Sequence, residues 1–332
     1  MYYYLLLIFF SVLAPLQAEE CAPMLDKEVL AKENEEIKKR SEEQARIYEM
    51  PENVDLLEIT DRVLASPFVS EKNKQNIIAN HRQIYIFNYP SDSLKIKGVI
   101  SYVPDPQNQP LLVMLRGGNK NFGVINPGSD YLNSGSITTL ATLYRDGVSE
   151  GMDEYGGEDV NDVYNLVQYI PALEAKLAIQ ISKNNKYLLG GSRGGMQMFL
   201  ALTRFPELQT YFSKVVSLSG LLDMNASIAS RPDMAELYID EFGLQPDVNQ
   251  EEWIAKRNPL AHVSELNSNI PVLIIQGALD IRVELEQGYK MAEALQANGN
   301  PVTYLEYENG DHCLLNMPER MSIILDWLEN GS

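Results

Sequence analysis

The sequence is poor in the residues that build metal centres and disulfide scaffolds. Of its 332 residues, three are histidine and two are cysteine. A structural zinc cage would have to be ligated mainly by carboxylates, so no metal and no cofactor is expected. Two cysteines permit at most one bridge, which excludes a small fold built on disulfides. Positive charge is scarce as well: 27 Lys and Arg face 46 Asp and Glu, for a net charge of −19. Such a surface repels phosphate backbones and anionic lipid, which argues against a nucleic-acid partner. No second long apolar run follows the N-terminal one, so no stable membrane association is expected once that segment is removed. What remains is 45% hydrophobic, enough for a large core and too much for a disordered chain.

The N-terminal run from Tyr2 to Ala14 is almost wholly apolar, and Pro15, Leu16, Gln17 and Ala18 lead from it into Glu19 and Glu20. An apolar core followed by a small residue reads as a secretory signal peptide over residues 1–18. It is short for a bilayer span, which needs ~20 apolar residues. No lysine or arginine precedes the core, and an uncleaved N-terminal anchor is the alternative. The expectation is an exported chain, periplasmic or secreted, that begins near Glu19.

Asp26 to Glu49 is dense in Glu and Lys with sparse apolar points, and reads as a solvated helix stopped by Pro51. Residues 54–80 read as further short helices, so 19–83 forms an N-terminal helical extension. The pattern changes at Ile84. Ile84–Tyr89 and Lys95–Tyr102 alternate around Pro90-Ser91-Asp92, which predicts an antiparallel hairpin. Continuous apolar runs follow at Leu111–Leu115, Thr138–Tyr144, Tyr187–Leu189, Val215–Leu218, Val272–Ile275 and Val302–Tyr307. Segments of helical period lie between most of them. This alternation predicts an α/β fold with a mainly parallel sheet and helices on both faces, spanning 84–332. Residues 221–266 break the rhythm with Pro232, Pro246 and Pro259, and form a candidate insertion or lid.

Chemistry concentrates in Gly190-Gly191-Ser192-Arg193-Gly194, a G-x-S-x-G pattern between a predicted strand and a predicted helix. A sharp turn there exposes the serine as a nucleophile and places a helix N-terminus beside it. A serine hydroxyl needs a base, and the base needs an orienting acid. In α/β-hydrolases these follow in the order Ser, Asp or Glu, His. His312, in Gly310-Asp311-His312 after the last strand, is the candidate base, with His262 the less suitable alternative. Asp280, just after the strand at 272–275, is the candidate acid, and Asp223, one strand earlier, is its rival. The oxyanion hole would draw on the backbone N–H of Arg193 and on Arg116-Gly117-Gly118-Asn119 at the end of strand 111–115. The acidic block 150–160 precedes a helix and suggests capping and dipole complementation.

The segments YRDGVSEGMDEYGGEDVNDV (144–163), GGSRGGMQMFLALTRFP (190–206), GALDIRV (277–283) and ENGDHC (308–313) resemble the catalytic domain of the prolyl oligopeptidase family of serine peptidases. The resemblance covers about 84–330. It implies an α/β-hydrolase fold, Ser192, Asp280 and His312 as the triad, and a peptide substrate, with a small ester as the other possibility. Family peptidases usually carry an N-terminal β-propeller, and the residues between the signal and position 84 are far too few for one, at ~40 per blade. Many members also have a tyrosine or histidine where Arg116 stands. That leaves open whether the Arg116 guanidinium or an N–H of the 117–119 loop completes the oxyanion hole. A non-catalytic binding protein on the same fold is the reading of a different class.

Overall fold

The computed structural model describes residues 27–104 and 108–331. The expected signal segment 1–18 lies outside the described residues. So does Cys21, the partner Cys313 would need for the single bridge that two cysteines permit.

Among the described residues one sheet of nine strands runs through the protein. The strands are β1 Leu56–Glu58, β2 Gln83–Ser91, β3 Leu94–Tyr102, β4 Gln109–Leu115, β5 Thr138–Thr142, β6 Ile181–Gly191, β7 Lys214–Leu218, β8 Val272–Gly277 and β9 Val302–Tyr307. Their spatial order is β1-β2-β3-β5-β4-β6-β7-β8-β9. The first three strands and β5 pair antiparallel, and from β5 through β9 every pair is parallel. The helices are α1 Lys27–Ala45, α2 Thr60–Ala65, α3 Glu71–Ala79, α4 Asp130–Asn133, α5 Asn161–Leu177 and α6 Arg193–Arg204. They continue with α7 Leu208–Tyr211, α8 Met224–Ser230, α9 Pro232–Phe242, α10 Gln250–Ala255, α11 Leu285–Ala297 and α12 Arg320–Asn330.

The continuous apolar strands are buried on both sides because their side chains alternate between two cores. Val113, Leu188, Val215 and Ile274 point to one face, where α5, α6 and α11 supply Leu166, Phe199 and Met291. Leu112, Leu189, Val216 and Leu273 point to the other, where α2, α3 and α12 supply Val63, Ile77 and Ile324. Each such fully buried side chain contributes ~1.5–3 kcal/mol over its exposed form. The expected α/β architecture with helices on both faces is the one observed, and so is the hairpin of β2 and β3.

Two expectations need correction, at 54–80 and at α1, and the insertion 221–266 is resolved in more detail. Residues 54–80 are not helical throughout, because Leu56–Glu58 forms β1, pairing Leu56 with Phe87. The outer edge of β2 offers unpaired backbone groups, and this short segment satisfies them. The insertion 221–266 divides its apolar residues between two uses. Met224, Phe242 and Trp253 are buried in the core cluster they share with Leu188 and Phe199, while Met234, Leu237 and Tyr238 also border the cleft described below. Finally, the charged helix α1 is not simply solvated: Ser41 and Gln44 are buried, and the Ser41 hydroxyl accepts the Gly123 N–H at 3.0 Å.

Candidate active site

The nucleophile turn follows from small residues at close contacts. Ser192 lies between β6 and α6 at φ 55°, ψ −127°, a strained conformation for a side-chain-bearing residue. A Cβ on Gly194 would come within 2.0 Å of the Leu115 carbonyl oxygen, so only glycine lets α6 approach β4 here. The Ser192 N–H donates to the Leu218 carbonyl at 3.0 Å, and the Ser192 carbonyl accepts from Leu221 at 2.9 Å. Both bonds fix the turn onto the end of β7.

His312 sits on the loop after β9. The next residue holds that loop: the Cys313 N–H donates to the Ser219 hydroxyl at 2.9 Å, and its carbonyl accepts from the Tyr131 hydroxyl at 3.2 Å. Asp280, after β8, places both carboxylate oxygens 2.9 Å from His312 Nδ1. The same carboxylate accepts the Arg282 and Val283 N–H groups at 2.8 and 3.0 Å. Burial works to raise the Asp280 pKa, but the bond to His312, its charge and these N–H donors outweigh it and hold the group below the ordinary carboxylate value. For His312, burial opposes the charged form, while the Asp280 carboxylate on Nδ1 favours it, and the pKa stands above the ordinary 6.5.

The rivals are used elsewhere. Asp223 caps α8, its carboxylate accepting the Asn225 and Ala226 N–H groups. His262 binds Glu265 at 2.7 Å and the Ala255 carbonyl at 2.6 Å. Asp311 closes a turn with the Asn316 N–H at 3.1 Å.

The loop after β4 lies directly against Ser192. A Cβ on Gly117 would stand 2.7 Å from Ser192 Cβ and 3.1 Å from its Oγ. Gly118 takes φ 72°, and a Cβ there would meet the Phe122 carbonyl oxygen at 2.0 Å. Gly117, Gly118, Asn119 and Arg193 border the same cleft as Ser192 and His312. The Arg116 guanidinium, one of the two donors left open by the sequence, turns away from that cleft. It is buried over the Tyr144 ring, 4.2 Å from its centroid, and donates to the carbonyls of Gly117 at 2.8 Å, Phe122 at 2.7 Å and Lys120. Every donor direction it uses points into its own loop, so it props the loop from behind.

Arg193 has a second use that its sequence position did not reveal. Its side chain is 1% exposed and forms a two-bond pair with Asp153, at 2.7 and 2.6 Å. It also donates to Asp159 at 2.7 Å and to the Gly118 carbonyl at 3.1 Å. Tyr144 and Tyr155 cover it at 4.4 and 4.2 Å. Asp153 in turn accepts the Lys120 N–H at 2.8 Å. For Asp153, burial acts to raise the pKa, yet the charge of Arg193 and these hydrogen bonds hold it low. Burial pushes Asp159 up to about 6 against the same arginine. The acidic block thus has a structural role, as expected, and adds a second one. The Glu154 carboxylate accepts the Glu158 N–H at 2.9 Å at the start of the turn 158–160, while Asp153 and Asp159 neutralise the buried Arg193.

The cleft has a volume of about 740 Å³. Leu221, Met234, Leu237 and Tyr238 give it an apolar wall, and Asn34, Ile37, Lys38 and Glu42 of α1 border it as well. Sequence reasoning missed α1 here. The available signal was the spacing 34, 37, 38, 41 and 42, which falls on one face of a helix.

Comparison with known proteins agrees with this architecture. Residues 148–331, more than half of the chain, match the model of the prolyl oligopeptidase family of peptidases, S9. An uncharacterized peptidase of Bacillus subtilis, YtmA, is 26% identical over 79% of this chain and 99% of its own length. The acylamino-acid-releasing enzyme of Rattus norvegicus is 25% identical over 64% of this chain, which spans only 29% of that longer protein. Among solved structures, the acylaminoacyl peptidase of Pyrococcus horikoshii has a TM-score of 0.63 at 18% identity, covering 78% of this chain and 43% of that one. The esterase Pf2001 of Pyrococcus furiosus has a TM-score of 0.52 at 16% identity, covering 76% and 91%. These two likenesses speak for the fold. The described residues hold a single sheet and no propeller. Matched by the family model from the loop after β5 to the end of α12, the chain belongs to the prolyl oligopeptidase family and is a serine hydrolase.

Proposed function

We propose that this serine hydrolase cleaves short peptides through an acyl-enzyme formed on Ser192. Ser192 Oγ attacks the carbonyl carbon as His312 Nε2 takes its proton, and His312 then gives that proton to the leaving nitrogen or oxygen. Water, deprotonated by the same imidazole, releases the acyl group. The N–H of Arg193 and an N–H of the 117–119 loop hold the oxyanion. The observation that carries this reading is the Asp280 carboxylate on His312 Nδ1 at 2.9 Å, with the imidazole opening onto the cleft that Ser192 borders. That arrangement keeps Nε2 free of the proton and available as a base.

An esterase reading is favoured by the apolar wall of Leu221, Met234, Leu237 and Tyr238, which suits an acyl chain, and esters have the better leaving group. The test is labelling by a fluorophosphonate probe together with turnover of p-nitrophenyl esters and aminoacyl-p-nitroanilides. Wild type should label and turn over. Ser192→Ala and His312→Ala should do neither while keeping their folds. Labelling that survives Ser192→Ala would end the assignment, and an inert, folded wild type would favour a binding protein. We further propose export, with residues 1–18 removed and 19–83 acting as an extension of the catalytic domain at 84–332. Intact mass of the secreted protein, beginning near Glu19, checks it.

A further inference from the structure

The helix α1 bridges the cleft from one catalytic loop to the other. At one end, the Arg282 guanidinium donates to the Asn34 side chain at 3.0 Å and to Glu33 at 3.3 Å. Arg282 is also the residue whose N–H binds the Asp280 carboxylate, at 2.8 Å. At the other end, Ser41 accepts the N–H of Gly123, in the loop that follows Gly117 and Gly118. Asn34 and Ser41 are thus tied to the acid's turn and to the oxyanion loop. Between them the helix advances about 10 Å, at ~1.5 Å per residue.

The residues facing inward share one helical face. Asn34, Ile37, Lys38 and Glu42 border the cleft with Ser192 and His312. Opposite them on α9 stand Asp233, Met234, Leu237 and Glu241. The inward face of α1 is mostly polar, with Ile37 its one aliphatic member. Helix faces that merely pack a core are apolar, so this composition does not read as one. It is the composition of a surface that meets a polar, hydrated chain. An extended peptide advances ~3.3 Å per residue, so a wall of this length spans about three substrate residues.

We propose that α1 is a specificity-determining wall of this active site, and that Asn34, Ile37, Lys38 and Glu42 restrict it to short peptides or small acyl esters. The proposal rests on the hydrolase reading above and adds to it which substrates enter. The wall borders the cleft that Ser192 and His312 also line. Its ties at Arg282 and Gly123 fix how wide the opening is.

The test compares folded full-length variants on acylated oligoalanine p-nitroanilides of increasing length. The readout is the ratio of kcat/KM on the longest substrate to kcat/KM on the shortest, which a general loss of activity does not move. The double variant Glu33→Ala/Asn34→Ala, which cuts the tie to Arg282, should raise that ratio by about tenfold, the scale on which pocket shape alone discriminates substrates. Ile37→Trp, which thickens the wall without touching its ties, should lower it. Ratios unchanged in both variants, with melting temperatures near wild type, would overturn the proposal while leaving the hydrolase reading intact. A wild type inert to every p-nitroanilide and ester would overturn both. If the double variant fails to fold, a ratio unmoved by Ile37→Trp is sufficient to reject the wall.

Discussion

Replacing Asp153 by asparagine separates a structural ion pair from a catalytic support. The carboxylate is fully buried, with both oxygens on Arg193 and further bonds from the Lys120 and Tyr155 N–H groups. An asparagine keeps the shape but supplies one acceptor oxygen, and turns an NH2 toward donors that have nothing to accept. Removing one partner of a buried pair costs ~3–5 kcal/mol. Here Asp159 remains on the same guanidinium at 2.7 Å, so the loss should fall at the low end, about 3 kcal/mol. For a chain of this size that lowers the melting temperature by about 4–5 °C. The catalytic consequence is separate. Asp153 and Arg193 join the nucleophile's neighbour to Lys120 and Gly118, so the pair holds the 117–120 loop against Ser192. Loosening it should cost much of what one oxyanion donor supplies, about 10²-fold in kcat, with KM for a small ester little changed. Thermal melts and steady-state kinetics on p-nitrophenyl acetate measure the two effects. Affinity for a boronic acid, which forms a tetrahedral adduct, should fall in step with kcat/KM, whereas affinity for the product acid should not. A variant that loses stability but keeps kcat within about twofold, and keeps its boronate affinity, would refute the positioning argument and leave a purely structural pair.

Four further outcomes follow from the same geometry. In the proposed mechanism His312 must be neutral to accept the Ser192 proton, so activity should be lost as pH falls through its pKa. That pKa is raised, so the acid limb of kcat/KM should lie above 6.5. Asp280→Asn removes a charge that favours the imidazolium, so it should move this limb toward lower pH while cutting kcat by orders of magnitude; a limb that does not move would detach Asp280 from the base. Gly117→Ala should abolish most turnover, because the added methyl would stand 2.7 Å from Ser192 Cβ, and its melting temperature should change far less than that of Asp153→Asn. Arg116→Met should reduce thermal stability through the buried props it removes, with activity lost only as far as the loop is disturbed. A greater loss of turnover than in Gly117→Ala would restore its guanidinium to the oxyanion hole.

Local chemistry made much of this protein readable in the sequence. The apolar runs at 111–115, 215–218 and 272–275 could only be strands covered on both sides, and the G-x-S-x-G segment between strand and helix marked the turn at Ser192. His312 and Asp280 were readable because each follows a strand, and parallel strands bring their C-terminal ends to one edge of the sheet. Leu56–Glu58 was not legible as a strand, since three residues carry too little periodicity, and pairing with the edge of β2 decided it. Side-chain destinations across the fold were equally hidden. Arg116 and Arg193 carry the same charge near the same serine, yet one props a loop while the other pairs with Asp153 and Asp159, more than thirty residues away in sequence. The helix α1 shows the same limit most clearly. Its charges read as a solvated face because its partners, Arg282 and Gly123, lie far along the chain, and only the folded sheet brings their loops to opposite ends of one helix. Sequence spacing determines which residues share a face. What that face meets is set by contacts between distant segments, and here that decided that α1 stands at the mouth of the active site.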